Sequence, residues 1–131
     1  MTNWNAYRPD HVPHPFSLSV SNEVMVIVGG ITAHDPAGNI AKDLESQVRD
    51  AITNLQSVLG QAGSSLNEIV YFKPYVTARE DAFIMDDILR ELLPTPRPTS
   101  GALTVNGLAD PRMKIEFDAI AARGAKLNLV Q

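Results

Sequence analysis

The chain has 131 residues, of which 44% are hydrophobic, 20% charged and 6% aromatic, a composition typical of one globular domain. It has no cysteine, which excludes disulfides, thiolate metal sites and a cysteine nucleophile. The 11 basic and 15 acidic residues give a net charge of −4, which opposes binding to a nucleic-acid backbone. Residues 24–28, the longest apolar run, are too few to cross a membrane, and residues 1–16 lack the apolar stretch of a signal peptide. We therefore expect a cytoplasmic protein without membrane or nucleic-acid partners.

The first third of the chain predicts an extended segment, two strands and a loop. Three prolines restrict the backbone of residues 1–15, which predicts an extended lead-in. Hydrophobic residues and serines alternate over residues 16–21, the pattern of a half-buried strand. Residues 24–28 predict a second, wholly apolar strand that a Gly-Gly pair ends, so that the two strands form a hairpin. An Asp-Pro-Ala-Gly turn predicts a loop over residues 30–41.

Two segments predict amphipathic helices. Hydrophobic residues recur at three- and four-residue steps from Leu44 to Ala62, with Asp43 as the N-cap and Gly63 as the stop. A second helix is predicted over about residues 79–93, and two prolines end it. The apolar residues of that second helix are Phe83, Ile84, Ile88, Leu92 and Leu93.

Three further strands complete the predicted domain, which spans residues 1–131 and ends in a tail, 124–131. One strand covers residues 68–76, where Pro74 predicts an edge position or a bulge because proline cannot donate to a ladder. After a rigid loop, 94–101, strands are predicted at 102–105 and 113–122. The order β-β-α-β-α-β-β indicates a single α+β domain.

Several short patterns suggest chemistry that the rest of the chain does not support. His11 and His14 have the spacing of half a metal site, but Pro13 rules out the helix that such a pair needs. No lysine follows Gly29 and Gly30 as in a phosphate loop, and no Gly-x-Ser-x-Gly is present. We therefore predict no metal and no cofactor.

The last third of the chain, residues 94–124, couples a proline-rich loop, a short strand, a Gly-Leu-Ala-Asp-Pro-Arg-Met connector and a strand carrying Glu116. With Pro-Phe-Ser at 15–17, Val-Gly-Gly at 28–30 and Gln-Val-Arg at 47–49, these motifs resemble the RidA/YjgF family of enamine/imine deaminases, also described as L-PSP endoribonucleases. The resemblance spans residues 15–123. It implies a chorismate-mutase-like α+β domain, a mixed sheet with two helices packed on one face, and a homotrimer with pockets between subunits.

The resemblance also assigns a pocket, residue by residue. Active deaminases clamp the substrate carboxylate with an arginine on the loop before the penultimate strand, where this chain has Ser100, so the clamp is missing. Arg97 is the candidate replacement, whereas Lys73 and Arg112 are more typical of solvated cations. Glu116 is retained and would activate water as the catalytic residue. The substrate-binding positions would be Phe16, Val28, Gly30, Asp87, Arg97, Ser100 and Ala102.

Two functions stay open on these grounds. The leading one is a RidA-like small-molecule protein that binds a carboxylate or an imine between subunits and hydrolyses a C–N bond, with the Ala102 amide meeting negative charge. The alternative is a noncatalytic ligand-binding or protein-interaction module on the same trimeric fold. Ribonuclease activity is disfavoured by the acidic charge. In the catalytic case, Phe16, Val28 and Ala102 would wall the pocket and raise the pKa of Glu116, and a nearby Asp87 would raise it further.

Overall fold

The computed structural model describes residues 3–130. Residues 1, 2 and 131, which are the ends of the predicted lead-in 1–15 and tail 124–131, lie outside the described residues. Residues 3–130 form two α-helices, one 3₁₀ turn (Leu66–Glu68) and seven strands. The elements in chain order are β1 Asn5–Tyr7, β2 Ser19–Ser21, β3 Met25–Ile31, α1 Leu44–Gln61, β4 Ile69–Val76, α2 Asp81–Leu92, β5 Thr99–Ser100, β6 Leu103–Thr104 and β7 Ile115–Ala122.

The strands form one mixed sheet in the order β1-β2-β3-β7-β4-β5, with β6 also paired to β4. The pairs from β1 to β4 along this order are antiparallel, whereas β5 and β6 run parallel to β4. The predicted hairpin of β2 and β3 is confirmed. The α+β fold class is confirmed as well, since β7 enters between β3 and β4 and both helices contribute to one core with the sheet.

The core lies between the helices and one face of the sheet. Along β7 the predicted alternation is confirmed, because Ile115, Phe117, Ala119 and Ala121 are all buried. The rings of Phe117 and Phe72 on the neighbouring strand lie 4.9 Å apart between centroids. Burial of such apolar side chains is the main term that stabilises a domain of this size.

The helices agree with the predicted segments, but the apolar face of α2 does not. Asp43 caps α1 by accepting a hydrogen bond from the Ser46 N–H at 2.9 Å. In α2 the buried residues are Met85, Ile88 and Leu89. Phe83 was expected on the apolar face and is 77% exposed. The 100° step of an α-helix turns Phe83 away from the sheet once Met85 and Leu89 face it.

Backbone pairing extends the sheet beyond the predicted strands. β1 forms inside the predicted lead-in, and β5 forms inside the predicted loop 94–101. β3 continues through its glycines to Ile31, with a register shift after Val28 and a positive φ of 69° at Gly30. In β2 the serines are buried and Val20 is only half-buried, because Ser19 and Ser21 pair with the core-facing Val28 and Val26.

Pro74 occupies an interior strand, so the predicted edge position is wrong. β4 lies between β7 on one side and the short β5 and β6 on the other. β5 pairs with Tyr71 and Phe72, and β6 pairs with Tyr75 and Val76, which leaves the parallel ladder interrupted beside Pro74. The proline is tolerated because its missing N–H falls in this interruption.

Gln47 is a buried polar residue that ties α1 to the start of β7. Its Nε2 donates to the carbonyl oxygens of Ala41 (2.8 Å) and Arg112 (2.9 Å), and its Oε1 accepts from the Lys114 N–H at 2.8 Å. The side chain is fully buried, so its hydrogen bonds must be made with other groups of the protein. Gln47 therefore sets where the connector after residue 106 meets the sheet.

Gln47→Met should lower the free energy of unfolding by about 2–3 kcal/mol, because three backbone groups lose their partners and an unsatisfied group costs about 1–3 kcal/mol. Urea denaturation measures this change. The matched control is Gln56→Met on the exposed side of the same helix, which should stay within about 0.5 kcal/mol of the parent protein. Equal stability of the two variants would contradict the role given to Gln47.

Candidate functional site

Glu116 lies on the face of the sheet opposite the helices, which we call the outer face. Its neighbours Ile115 and Phe117 are fully buried in the core, as expected from the alternation, and Glu116 itself is half-buried. The strand register places it opposite Tyr75 and places Asp118 opposite Lys73. Within one protomer, the outer face thus carries two carboxylates, a phenol and an ammonium group on adjacent strands.

The surroundings of Glu116 favour its neutral form. Burial raises the pKa of the Glu116 carboxyl, and the negative charge of Asp118 raises that pKa further. We expected Asp87 to be the like-charged neighbour, but that residue is exposed on α2. The repulsion therefore comes from the same strand, where residues two apart share a face.

Asp118 organises the outer face, although the sequence did not single it out. Its Oδ1 accepts a hydrogen bond from the Gly30 N–H at 2.9 Å, and its Oδ2 accepts one from the Tyr75 hydroxyl at 2.8 Å. The bond to Asp118, followed by burial, raises the pKa of Tyr75 to about 12, so the phenol stays protonated at neutral pH. The alternation of β7 could have identified Asp118, since it shares the face of Glu116.

The residues expected to wall the pocket are not adjacent in one protomer. Val28 is 1% exposed and packs in the core, because β3 turns Val26 and Val28 toward the helices. It therefore cannot line the outer face, and that expectation is wrong. Phe16 is 71% exposed on the segment before β2, with its ring centroid 5.8 Å from that of His14. Gly30 donates its backbone N–H to Asp118, and the space beside its Cα is open.

Two other predicted residues, Arg97 and Ser100, lie together at a second place, which we call the edge groove. This groove of about 260 Å³ lies between α2 and the β4–β5 edge of the sheet. Arg97 borders it and donates a hydrogen bond to the Arg90 carbonyl oxygen near the end of α2. Asp87 pairs with Arg90 and is not among the lining residues. The groove is lined by Phe72, Pro74, Asp86, Leu89, Arg90, Leu93, Arg97, Pro98 and Ser100.

Glu116 and the edge groove therefore belong to different sides of the sheet. Ser100 is in register with Phe72, whose side chain is buried with the helices, whereas Glu116 points the other way. Ala102 is exposed between β5 and β6, at the open edge that separates the two sides. One protomer does not bring Glu116, Arg97 and Ser100 to a common ligand.

A separate polar cluster fixes the loop after β3. His34 Nε2 lies 3.0 Å from Asp110 Oδ2, and His34 Nδ1 lies 2.7 Å from the Thr32 hydroxyl. Arg112 hydrogen-bonds Asp110 and the Gly38 carbonyl oxygen. These bonds, first those from Arg112, hold the pKa of Asp110 well below its usual range. The cluster joins the loop to the connector before β7.

Sequence and structure comparisons identify relatives over nearly the whole chain. A model of the endoribonuclease L-PSP family matches residues 8–123. Protein mmf2, mitochondrial, of Schizosaccharomyces pombe is 31% identical over 110 residues, which are 82% of this chain and 87% of that protein. The proposed reactive intermediate deaminase TdcF of Escherichia coli strain K12 is 25% identical over 85% of this chain and 88% of its own. Because mmf2 is named as mitochondrial, the cytoplasmic location stays a prediction.

Solved structures share the fold. RidA from the Antarctic bacterium Psychrobacter superposes with a TM-score of 0.84 at 21% identity and covers 90% of this chain and 98% of its own. Escherichia coli TdcF with bound serine has a TM-score of 0.82 at 22% identity over 92% of this chain and 99% of its own. Among residues 3–130 no helix has the length and apolarity of a membrane span. On the family match, the chain belongs to the endoribonuclease L-PSP family, which is the RidA/YjgF family that its motifs resemble.

Proposed function

We propose that this protein hydrolyses the C=N bond of a small imine in a pocket formed between subunits, with Glu116 as the general base. The observation that carries the proposal is the half-buried carboxylate of Glu116, whose pKa is raised by burial and by Asp118. A carboxyl with a raised pKa suits a group that must take and return a proton near neutral pH. The relation to TdcF, named as a proposed reactive intermediate deaminase, supports the same class of reaction.

The proposed reaction needs only water and one proton carrier. Glu116 takes a proton from water as the oxygen bonds to the imine carbon, and the C=N electron pair moves to nitrogen. The proton returns to nitrogen and gives a carbinolamine. Glu116 then takes the proton of the carbinolamine hydroxyl and passes it to the nitrogen, so that the C–N bond breaks and ammonia leaves as the carbonyl forms. The backbone amide of Ala102, at the edge of the sheet, would meet the negative charge that develops on the substrate.

A second copy of the chain would complete the pocket. In one protomer the base is on the outer face and the edge groove holds Arg97 and Ser100, so a common ligand requires the outer face of one subunit to meet the edge of another. The outer face also exposes apolar side chains at Ile27, Tyr71 and Leu103. Burial of these side chains between copies would stabilise the trimer.

The ligand we propose is a small molecule with a carboxylate or an imine, bound more weakly than in relatives that carry the arginine clamp. Arg97 borders the groove near Ser100 and, with one donor bonded to Arg90, keeps further guanidinium donors for an anion. A substrate other than 2-aminoacrylate is expected. TdcF was crystallised with serine, which also carries a carboxylate.

The alternative is a noncatalytic ligand-binding or protein-interaction module on the same trimeric fold. The observation that favours it is Ser100 at the position of the family arginine, since a serine cannot clamp a carboxylate bidentately. We place RNA cleavage behind both, because the net charge of −4 opposes binding to phosphate.

Light scattering should report a homotrimer at micromolar concentration. Ile27→Glu should reduce the assembly to monomers, because it places a charge in the proposed contact between outer faces and edges. The matched control is Phe83→Glu, at an exposed hydrophobic position on α2, which should leave the mass unchanged. A monomeric parent protein would remove the intersubunit pocket from the proposal.

Glu116→Gln should lower imine turnover by about a hundredfold or more, because general-base catalysis contributes about 10²–10⁴ in rate. Its effect on stability has the opposite sign. When a carboxyl has a higher pKa in the folded than in the unfolded protein, the free energy of unfolding falls as pH rises toward the folded-state pKa. At pH 7 the variant, which lacks this carboxyl, should therefore melt at the same temperature as the parent protein or at a higher one. Below the ordinary glutamate pKa of 4.5 this advantage should vanish.

Turnover and melting temperature across pH 3–8 measure both effects. The control is Glu23→Gln in the exposed turn before β3, which should match the parent protein. If Glu116→Gln lowers the melting temperature while the fraction that stays folded binds ligand normally, the catalytic role is overturned and the noncatalytic module is favoured.

Turnover of 2-aminoacrylate should be about a hundredfold or more slower than in relatives with the arginine clamp. Without the arginine clamp, two charge-assisted hydrogen bonds to the substrate carboxylate are lost, and each contributes about 1.5 kcal/mol or more. Assays with the imine generated in place by a dehydratase test this expectation. Turnover equal to that of those relatives, abolished in Arg97→Ala, would show that Arg97 serves as the clamp.

A further inference from the structure

The proline in β4 removes one hydrogen bond from the parallel edge of the sheet. β5 and β6 pair with β4 at the same offset along the chain, so they are two parts of one edge strand. The interruption between them is at Gly101 and Ala102, opposite Lys73 and Pro74. The Val105 N–H donates to the Val76 carbonyl oxygen at 2.9 Å, which shows which β4 residues turn their backbone toward this edge strand.

Backbone alternation identifies the missing bond. Val76 faces the edge strand, so Pro74, two residues before it, faces it as well. In a parallel ladder the nitrogen of residue 74 would donate to the carbonyl oxygen of Gly101, and proline has no hydrogen to donate. The Lys73 ammonium takes that place, with Nζ 2.7 Å from the Gly101 oxygen.

We propose that Lys73 is a positioning residue of the pocket, which replaces the donor that Pro74 lacks and thereby holds the Gly101–Ala102 peptide. This inference rests on the proposed function, in which the Ala102 N–H meets negative charge on the substrate. The alternation that turns Gly101 toward β4 turns the Ala102 N–H outward, to the open edge of the sheet. A fixed carbonyl at Gly101 therefore fixes the direction of the next amide, because the peptide unit is planar.

The surroundings of Lys73 favour this fixed role over a freely solvated side chain. The side chain is half-buried, and its Nζ lies 6.0 Å from the centre of the Tyr71 ring. A Cβ added at Gly101 would lie 3.8 Å from Nζ, at ordinary van der Waals distance, so the ammonium lies directly beside this residue. A charged donor makes a stronger hydrogen bond than the backbone N–H it replaces.

Three variants separate positioning from a direct effect of charge. Lys73→Met keeps most of the side-chain length and removes the donor. Lys73→Arg keeps a donor. The double variant Lys73→Met with Pro74→Val restores a backbone N–H at residue 74 while the charge stays absent, and Pro74→Val alone serves as the folding control. Steady-state turnover of amino-acid imines generated by an amino-acid oxidase and amide hydrogen exchange over residues 99–104 are measured for each.

In Lys73→Met we expect amide exchange over residues 99–104 to accelerate about tenfold or more, as for the loss of one strong hydrogen bond. We expect kcat to fall about tenfold with KM nearly unchanged, less than the hundredfold or more that follows removal of an oxyanion donor. Lys73→Arg and the double variant should regain both slow exchange and kcat.

Unchanged exchange in Lys73→Met would overturn the inference. So would a double variant that regains slow exchange but not kcat, since Lys73 would then act on the substrate by its charge. If the parent protein turns over no imine, the proposed function fails by itself. The exchange rates then decide the inference alone, because loss and recovery of protection do not depend on catalysis.

Discussion

The register between β7 and β4 decides which side chains share a surface in this protein. Antiparallel pairing places Phe117 opposite Pro74 and Tyr75 opposite Glu116. One set of side chains is then buried with the helices, and the other forms the outer face. Because the side-chain period of a strand is two, a shift by one residue would move the carboxylates into the core and the phenylalanine into solvent. The hydrophobic core therefore holds the candidate site in place.

The outer face concentrates acidic groups at some cost in stability. Asp118 accepts hydrogen bonds from the Gly30 N–H and the Tyr75 hydroxyl. The pKa of Glu116 is raised by its partial burial and by repulsion from Asp118. The surroundings on this strand thus suit Glu116 to carry a proton.

The candidate residues lie on two sides of the sheet, and this division is the reason why the proposed function needs more than one copy of the chain. Arg97 and Ser100 border a groove on the helix side, and Glu116 lies on the other side. Ala102 lies on the edge strand between them, next to Gly101, whose carbonyl oxygen accepts a hydrogen bond from Lys73. In the proposed trimer, these pieces form one pocket only when edge and outer face belong to different copies.

Local patterns in the sequence were sufficient for the helices, the apolar strands and the position of Glu116 on β7. Asp43 as N-cap and the alternation of residues 113–121 are local properties, and both are confirmed. The sequence did not determine which face of β2 is buried, where Val28 points, or that Asp118 rather than Asp87 is the neighbour of Glu116. Those features depend on pairing between residues far apart in the chain, as between Gly30 and Asp118. Only the tertiary structure decides them, because periodicity reports the face of an element but not the element that lies against it.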